Sequence, residues 1–392
     1  FTQKLPPWSQ GDLFAAIREQ DRLLHHPYDS FTPVVELLRQ AAKDPAVLAI
    51  KQTLYRTGAK SPVVDALVQA ARNGKEVTVI VELRARFDEA DNIDLAERLQ
   101  EVGAHVVYGV VGYKTHAKMM LIVRREAEGA GQLKNYVHLG TGNYHPRTSR
   151  IYTDYGLMTA DAEICRDVHT VFLQLTSLGK VTKLHRLMQS PFSMVSGMHA
   201  KISREMEAAA KGKPARIVAK MNGLVEPEMI SKLYAASNAG VKIDLIVRGM
   251  CSVRPGVKGL SENIRVHSVI GRFLEHHRVF YFENAGGDAE VYLSSADWME
   301  RNLFKRVEIA FPLLDKKIRA QVIEQLMGYM TDTAQSWSLK DDGSYARIAG
   351  GGKPVQIKLL EQLTGAEETL TSKAAGRALK PRVAKTQTRK KK

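Results

Sequence analysis

The stretch YKTHAKMMLIV, residues 113–123, has a counterpart later in the chain in FLEHHRVFYFE, residues 273–283. Each stretch places a His-x-Lys or His-x-Arg pair at the start of a strongly apolar strand. Since side chains alternate along a strand, His116 and Lys118 project to one face while Met119 projects to the other. Cationic and imidazole groups in a row are unfavourable unless an anion lies over them. The pattern therefore predicts two equivalent strands that each face a phosphate.

Other segments repeat in the same order, at an offset that drifts from one element to the next. AVLAIKQTLYR (residues 46–56) and ARIVAKMNGLV (residues 215–225) both have the apolar pattern of a buried strand. A helical pattern follows in both halves and stops at Gly74 and at Gly240 before the next strand. A second helix and strand come next in both halves. The alternation predicts an α/β fold of two tandem domains related by internal duplication, with mixed or parallel sheets flanked by helices.

Domain boundaries follow from the repeat and from local composition. Residues 1–30 are predicted to be an incomplete lead-in, 31–190 the first domain and 191–343 the second. Residues 344–392 form a C-terminal segment, and its final part, 373–392, contains nine Lys or Arg and no acid. This composition is typical of a disordered arm that adheres to polyanions.

Composition narrows the class of protein. The 392 residues are 44% hydrophobic and 25% charged, which is ordinary for a globular chain. Cys165 and Cys251 lack the spacing of a zinc site or a disulfide framework. No apolar run reaches the roughly 18 to 20 residues of a membrane span, and the N-terminus lacks a signal-peptide pattern. We therefore expect a cytoplasmic protein, and the net charge of +15 favours an anionic partner.

Two histidines at matching places in a repeat suggest covalent phosphate chemistry. If the duplicated strands meet, His116 and His276 would lie on either side of one phosphorus atom. One neutral imidazole could then attack in line while the other handles a proton on the attacking or departing oxygen. Arg278, two residues after the second histidine, supplies the planar donors that suit phosphate oxygens.

Further phosphate-binding candidates lie where strands end. The turn GTGN contains Gly140 and Gly142, which permit close backbone approach, and Asn143, a neutral donor. Arg56, Arg86 and Arg248 follow predicted strands, and the carboxyl ends of strands in open α/β sheets face the ligand crevice. Together these residues predict a site that holds several phosphates.

The two His-x-Lys/Arg strands, each followed by a turn of small residues, resemble the duplicated motif of the phospholipase D superfamily. The sequence departs from that motif because no Asp follows Lys118 at the usual spacing and because Arg278 stands where the motif has Lys. A closer resemblance is to the polyphosphate kinase family of the bacterial type that makes long-chain polyphosphate. It spans residues 24–331 and is carried by the segments HPYDSFTPVV, IKQTLYRTG, ELRARFDEADNI, YKTHAKM, GTGNYHPRTSRIYTDYGL, IVRGMCS, FLEHHRVFYFEN and YLSSADWMERN.

The resemblance implies two tandem phospholipase D-like domains and reversible transfer of the terminal phosphate of ATP to inorganic polyphosphate through a phosphohistidine. His116 would be the phosphorylated nucleophile, and His276 the second catalytic histidine. Tyr152, Arg248 and His276 would contact the nucleotide.

The same resemblance extends to phosphates and metal. Lys118, Asn143 and Arg278 would bind phosphate. Arg56 and Arg86 match positions associated with Mg²⁺. A guanidinium has no lone pair to offer a cation, so these two arginines are expected to bind the phosphates that themselves ligate Mg²⁺.

The resemblance also implies partners and a missing part. ATP and polyphosphate are the expected partners, with no specific nucleic acid, and the full-length protein is expected to be a homo-oligomer, cytoplasmic with peripheral membrane association. Two N-terminal modules would precede these 392 residues, which begin with Phe1 rather than Met. Two alternatives stay open: a phosphodiesterase that uses the same two histidines, and a non-enzymatic protein that binds polyanions by counterion release.

Overall fold

The computed structural model describes residues 1–55, 61–82, 89–110, 112–126, 131–176 and 182–365. We call residues 1–176 the first half and residues 182–365 the second half. The strands are β1 (Arg22–His26), β2 (Val47–Leu54), β3 (Glu76–Val81), β4 (His105–Val107), β5 (Lys114–Thr115), β6 (Lys118–Arg125), β7 (Leu133–Gly140), β8 (Tyr152–Thr159), β9 (Met188–Ser190), β10 (Arg216–Met221), β11 (Lys242–Val247), β12 (Ile264–Val269), β13 (Leu274–Glu275), β14 (Arg278–Phe282), β15 (Glu290–Ser294), β16 (Arg306–Pro312), β17 (Ser336–Leu339) and β18 (Tyr345–Arg347).

Helices connect and cover these strands. They are α1 (Leu13–Glu19), α2 (Thr32–Lys43), α3 (Pro62–Arg72), α4 (Glu89–Glu101), α5 (Ala162–Thr176), α6 (Met194–Ala210), α7 (Pro227–Asn238), α8 (Glu300–Phe304), α9 (Lys316–Met330) and α10 (Val355–Thr364). Short 3-10 turns occur at Pro7–Ser9, Thr148–Arg150 and Asn284–Gly286.

The described strands form two sheets with the same internal order. Sheet 1 runs β1-β8-β7-β6-β2-β3-β4, and sheet 2 contains the matching run β9-β16-β15-β14-β10-β11-β12, to which β17 and β18 are added beyond β12. The last three strands of each matching run are parallel to one another, and the hairpin strands are antiparallel. The structure therefore has the internal duplication that the sequence repeat predicts.

Each half also contributes a two-residue strand to the sheet of the other half. β13 of the second half pairs in parallel with β8 of sheet 1, and β5 of the first half pairs in parallel with β16 of sheet 2. Since β5 and β13 immediately precede His116 and His276, this exchange brings both histidines to the region where the two sheets meet.

Local sequence accounts for several of the helix ends. Pro227 is the first residue of α7, where its missing N–H costs nothing, and the Glu226 side chain accepts from the Met229 N–H. Gly74 and Gly240 follow α3 and α7 with φ of +79° and +92°, which an L side chain rarely adopts. Both predicted helix stops are therefore present.

The second helix predicted for the second half is absent from the described residues. The first half has α4 before β4, but residues 255–263 before β12 form turns. Gly256 and Gly259 both have φ of +72°, so the backbone leaves the right-handed helical region twice within this short segment.

A shared interior joins the two halves. One core cluster contains residues of sheet 1 such as Leu121 and Leu157, residues of sheet 2 such as Tyr281 and Ile309, and apolar side chains of α5, α9 and α10. Separate clusters lie between sheet 1 and α1 to α4, and between sheet 2 and α6 and α7. The junction of the sheets is consequently fixed by packing from both halves.

The predicted boundaries at residues 31, 190 and 343 remain predictions, but some flanking residues have defined partners. β1, within the expected lead-in, pairs with β8. β9, at the expected end of the first domain, pairs with β16 of sheet 2. The basic tail lies outside the described residues. Among the helices of the described part, none has both the length and the apolar character that a bilayer crossing requires.

Candidate active site

Both sequence-predicted histidines line one cavity of about 1070 Å³. His116 follows β5 and precedes β6, and His276 has the equivalent place between β13 and β14. Asn143, Tyr152 and Arg278 also line this cavity. The structure thus brings together five of the residues that the sequence assigned to catalysis or phosphate binding.

Each histidine is held by a carboxylate from the opposite half. His116 Nδ1 lies 2.9 Å from Glu308 Oε2 on β16, and His276 Nδ1 lies 2.8 Å from Asp154 Oδ1 on β8. A carboxylate can only accept, so each imidazole donates from Nδ1 and keeps the lone pair on Nε2. This arrangement orients two nucleophilic or basic nitrogens at the junction of the sheets.

The protonation states fit this arrangement. Burial lowers the pKa of His116 from 6.5 to about 3, although Glu308 opposes the shift. Burial also lowers the pKa of His276, against the opposing effect of Asp154. Both imidazoles are therefore neutral at pH 7. The Nε2 lone pair of His276 accepts a hydrogen bond from Arg278 Nη1, 3.3 Å away.

The cavity wall is basic. Among the described residues that line it, five are Lys or Arg and two are carboxylic acids. One of the two acids, Asp297, is engaged by Arg278 through Nε at 3.2 Å and Nη2 at 2.9 Å. The five cations are Lys114, Arg278, Arg301, Lys305 and Arg306. A cavity with this excess of positive charge is suited to a ligand with several negative charges.

The two halves differ around β6 and β14. Arg278 Nη1 lies 3.3 Å from His276 Nε2, so the guanidinium borders the cavity beside the imidazole. Lys118, its counterpart, is buried beneath His116 and donates from Nζ to the His116 carbonyl oxygen. Lys118 is not among the residues on the cavity wall, and phosphate binding by this side chain stays a prediction.

Gly142 provides room for the carboxylate that holds His276. A Cβ atom at this position would lie 2.0 Å from Asp154 Oδ2, far inside van der Waals contact. Thr141 Oγ1 donates to Asp154 Oδ1 at 2.7 Å, and Asn143 Oδ1 is buried with no hydrogen-bond partner among the described residues. In the GTGN turn, Gly142 therefore leaves space for the Asp154 carboxylate and Thr141 donates to it. Asn143 is the residue of the turn that lines the cavity.

Gly142→Ala is expected to reduce the phosphate transfer that the family resemblance implies by about 10²-fold, because displacement of Asp154 leaves His276 Nδ1 without its partner. Gly11→Ala is the control, since a Cβ at Gly11 would have no heavy atom within 4 Å. Transfer rates of the two folded variants check the prediction. Equal rates for both would contradict it.

The residues predicted to bind nucleotide or metal differ in where they lie relative to the cavity. The ring of Tyr152 lies 5.3 Å from that of His276. Arg248 is half-buried and donates to Asn222 Oδ1 and to the Glu275 main-chain oxygen, and it is not among the described residues on the cavity wall. Arg56 and Arg86 lie outside the described residues. Nucleotide and metal roles for these side chains stay predictions.

Sequence reasoning missed the two carboxylates that orient the histidines. Asp154 and Glu308 occupy equivalent places on β8 and β16, as do Asn143 and Asp297 after β7 and β15. The two acids are separated by a shorter stretch of chain than the two histidines are. A repeat search that allowed the offset to change between strands could therefore have found the acids.

Buried histidines give the chain a predicted loss of stability in mild acid. Burial lowers the pKa of both His116 and His138 to about 3. Below pH 6.5 the unfolded chain therefore binds protons that the folded chain does not, so stability is complete above pH 6.5 and falls as the pH decreases towards 3. Each of these histidines contributes a slope of about 1.4 kcal/mol per pH unit.

Denaturant titrations at pH 7.5, 6.0 and 5.0 measure this loss as a falling free energy of unfolding. The variant His138→Asn should show a shallower fall than the wild type. A free energy that is constant over this range would contradict the prediction.

Comparison with known proteins agrees with this geometry. Residues 12–181 match the family Polyphosphate kinase C-terminal domain 1, and residues 187–357 match Polyphosphate kinase C-terminal domain 2. The polyphosphate kinase of Burkholderia vietnamiensis is 61% identical over 355 residues, which are 90% of this chain and 52% of that protein. The chain thus spans about half the length of the curated relatives it matches.

Solved structures give the same result. The crystal structure of polyphosphate kinase from Porphyromonas gingivalis superposes with a TM-score of 0.86 at 37% identity, covering 93% of this chain and 56% of that one. Phosphatidylserine synthase of Haemophilus influenzae, at 11% identity, has a TM-score of 0.56 over 82% of this chain and 88% of its own, a likeness of fold alone. The predicted fold class of two tandem phospholipase D-like domains is confirmed, and the chain belongs to the polyphosphate kinase family, of which it contains the two C-terminal domains.

Proposed function

We propose that this chain contains the catalytic centre of a polyphosphate kinase, which transfers the terminal phosphate of ATP reversibly to inorganic polyphosphate through a phosphohistidine on His116. One observation carries the proposal. Two neutral histidines line one basic cavity, and each is oriented through Nδ1 by a buried carboxylate of the opposite half.

In the first step the Nε2 lone pair of His116 attacks the terminal phosphorus of ATP. The bond between that phosphorus and the bridging oxygen breaks, and ADP leaves with the electron pair. Glu308 accepts the hydrogen bond from Nδ1–H and stabilises the positive charge that develops on the ring. The cationic wall stabilises the charge on the transferred group and on the departing oxygen.

In the second step a terminal oxygen of polyphosphate attacks the phosphorus on His116, and the P–N bond breaks. Where the attacking oxygen is protonated, Arg278 Nη1 turns from His276 Nε2 to the phosphate, Nε2 takes the proton, and Asp154 stabilises the imidazolium that results. Arg278, next to His276, contacts the same region and would bind an equatorial phosphate oxygen. The reverse order of these events makes ATP from ADP and polyphosphate.

Mg²⁺ is proposed to arrive on the phosphates of ATP, its usual partners in phosphoryl transfer. Within the described ranges there is no group of three or more His, Cys, Asp or Glu side chains arranged to hold a metal ion. Arg56 and Arg86, which the family resemblance associates with magnesium, would bind the same phosphates. Oligomer formation, cytoplasmic location and peripheral membrane association stay predictions.

Two rival functions can be separated from this one by simple assays. A phosphodiesterase would cleave a diester and would not release ADP from ATP. A polyanion-binding protein without catalysis would depend on the basic tail, so a chain that ends at residue 365 and still transfers phosphate would contradict that alternative.

The direct test is incubation with γ-labelled ATP and Mg²⁺, with and without polyphosphate. The expected result is acid-labile, base-stable label on the protein, stoichiometric release of ADP, and passage of the label to polyphosphate when it is added. Diester cleavage without release of ADP would overturn the proposal.

A further inference from the structure

We propose that Glu275 and Lys220 are positioning residues for His276 and that they act through Thr153, a device which the first half lacks. The structural part of this inference stands on the contacts around His276. Only its kinetic part rests on the proposed function.

Glu275 and Lys220 form an ion pair inside the protein. Lys220 Nζ lies 2.8 Å from Glu275 Oε2, and the two side chains are 2% and 3% exposed. Gln356 of α10 donates to Glu275 Oε1 at 2.5 Å, and Lys220 Nζ lies 5.0 Å from the centre of the Tyr329 ring. Side chains of β10 and α10 thus converge on Glu275, the residue that immediately precedes His276.

The link to the imidazole passes through one hydroxyl group. Thr153 Oγ1 lies 3.1 Å from Glu275 Oε2 and accepts the His276 backbone N–H at 3.0 Å. A carboxylate can only accept, so the hydroxyl proton points towards Glu275 and a lone pair is left for His276. The other acceptor near this hydroxyl, the Leu274 oxygen at 3.4 Å, is uncharged and more distant. Glu275 therefore sets the direction in which Thr153 holds the His276 backbone.

Hydrogen bonds from Gln356 and Asn222 also hold the main chain on both sides of Glu275. The Gln356 side chain accepts from the Phe273 N–H and donates to the Phe273 oxygen, both at 2.9 Å. Asn222 Nδ2 donates to the His276 oxygen at 3.1 Å. With its backbone restrained in this way, the His276 ring can keep its Nδ1 on Asp154 while a charged ligand occupies the cavity.

The first half holds its histidine differently. The His116 N–H donates to a main-chain oxygen, that of Val307, at 2.9 Å. Val307 pairs with β5 as Thr153 pairs with β13, so the position equivalent to Thr153 has no hydroxyl. The positions equivalent to Glu275 and Lys220 are Thr115 and Thr53, which are neutral. The Thr153 hydroxyl, next to the ion pair, thus accepts the His276 N–H in the second half, where the Val307 main-chain oxygen accepts the His116 N–H in the first.

Stability alone is a weak reason for such a pair. Removal of two charges from water costs several kcal/mol per ion, and well-packed apolar residues in place of a buried ion pair are often neutral or stabilising. A role in fixing one geometry beside a catalytic imidazole explains why the charges are placed here.

Two sets of variants test the inference without leaving a buried charge unpaired. Thr153→Val removes the hydroxyl at constant shape, and Thr153→Ser keeps it. Lys220→Met combined with Glu275→Gln removes both charges together. Thr115→Val is the matched control, because Thr115 Oγ1 is buried without a hydrogen-bond partner in the described part of the chain.

The first measurement is the NMR signal of the His276 Nδ1 proton, assigned by its loss in His276→Ala. We expect this signal to shift or broaden in Thr153→Val and in the double variant, and to be retained in Thr153→Ser and Thr115→Val. A signal that is unchanged in Thr153→Val and in the double variant would overturn the inference, whatever the activity of the chain.

The second measurement is kinetic. Thr153→Val and the double variant should lower kcat for phosphate transfer by about 10- to 100-fold, with less than about a twofold change in KM for ATP. Added to His276→Ala, each should cause no further loss, because a positioning residue has no effect once its target is gone. A full additional loss in that background would show a general structural role and overturn the inference.

Discussion

Replacement of His116 by alanine is expected to abolish incorporation of acid-labile phosphate from γ-labelled ATP and to lower phosphate transfer by at least about 10³-fold. The reason is that His116 Nε2 is the only protein atom in the proposed mechanism that forms a bond to phosphorus. His276→Ala should instead leave label on the protein and slow its transfer by about 10²- to 10⁴-fold, the usual contribution of general acid–base catalysis.

Quantitative labelling, followed by a chase with polyphosphate, separates these two losses. His105 is exposed on β4, so His105→Ala is a suitable control and should behave as the wild type does. If His116→Ala kept its label and His276→Ala lost it, the roles of the two histidines would have to be exchanged. Equal label on all three variants would contradict the phosphohistidine mechanism.

The sequence was sufficient to predict the duplication and both histidines, because these depend on local patterns. The apolar strands after His116 and His276 are recognisable from their own residues, and so are the helices that end at Gly74 and Gly240. The prediction of a second helix in the second half was wrong for an equally local reason. Gly256 and Gly259 take the backbone out of the right-handed helical region there.

The partners of the two carboxylates could not be predicted in the same way, because each carboxylate acts across the duplication. Glu308 reaches His116 only because β5 pairs with β16, and Asp154 reaches His276 only because β13 pairs with β8. A pattern within either half contains no sign of this exchange. The case of Lys118 is different, because its hydrogen bond to the His116 oxygen is local and depends on how the backbone turns between β5 and β6.

Glu308→Gln is expected to lower the rate of His116 phosphorylation by about 10³- to 10⁴-fold, although the substitution preserves shape. The outcome is determined by Asn302, whose Nδ2 donates to Glu308 Oε1 at 2.7 Å. In the variant this donor requires the amide oxygen on its side, so the amide NH₂ is directed at His116 Nδ1. Two donors would then face each other unless the ring moves its proton from Nδ1 to Nε2.

A proton on Nε2 occupies the lone pair that attacks phosphorus, so the variant would have the wrong tautomer in an otherwise intact cavity. Loss of the carboxylate in a Ser-His-Asp triad costs about 10⁴ for the same reason. The ¹⁵N chemical shifts of His116 would report the tautomer, and single-turnover labelling would report the rate.

Asp154→Asn is the matched control for this substitution, because it removes the equivalent carboxylate from His276. It should leave labelling of His116 far less affected than Glu308→Gln does, while slowing passage of the label to polyphosphate. A Glu308→Gln variant that is folded, has its proton on Nε2 and is labelled at the wild-type rate would show that Nε2 of His116 is not the attacking atom. Since the only other ring nitrogen, Nδ1, accepts a hydrogen bond from the introduced amide in this variant, that result would remove His116 from the chemistry.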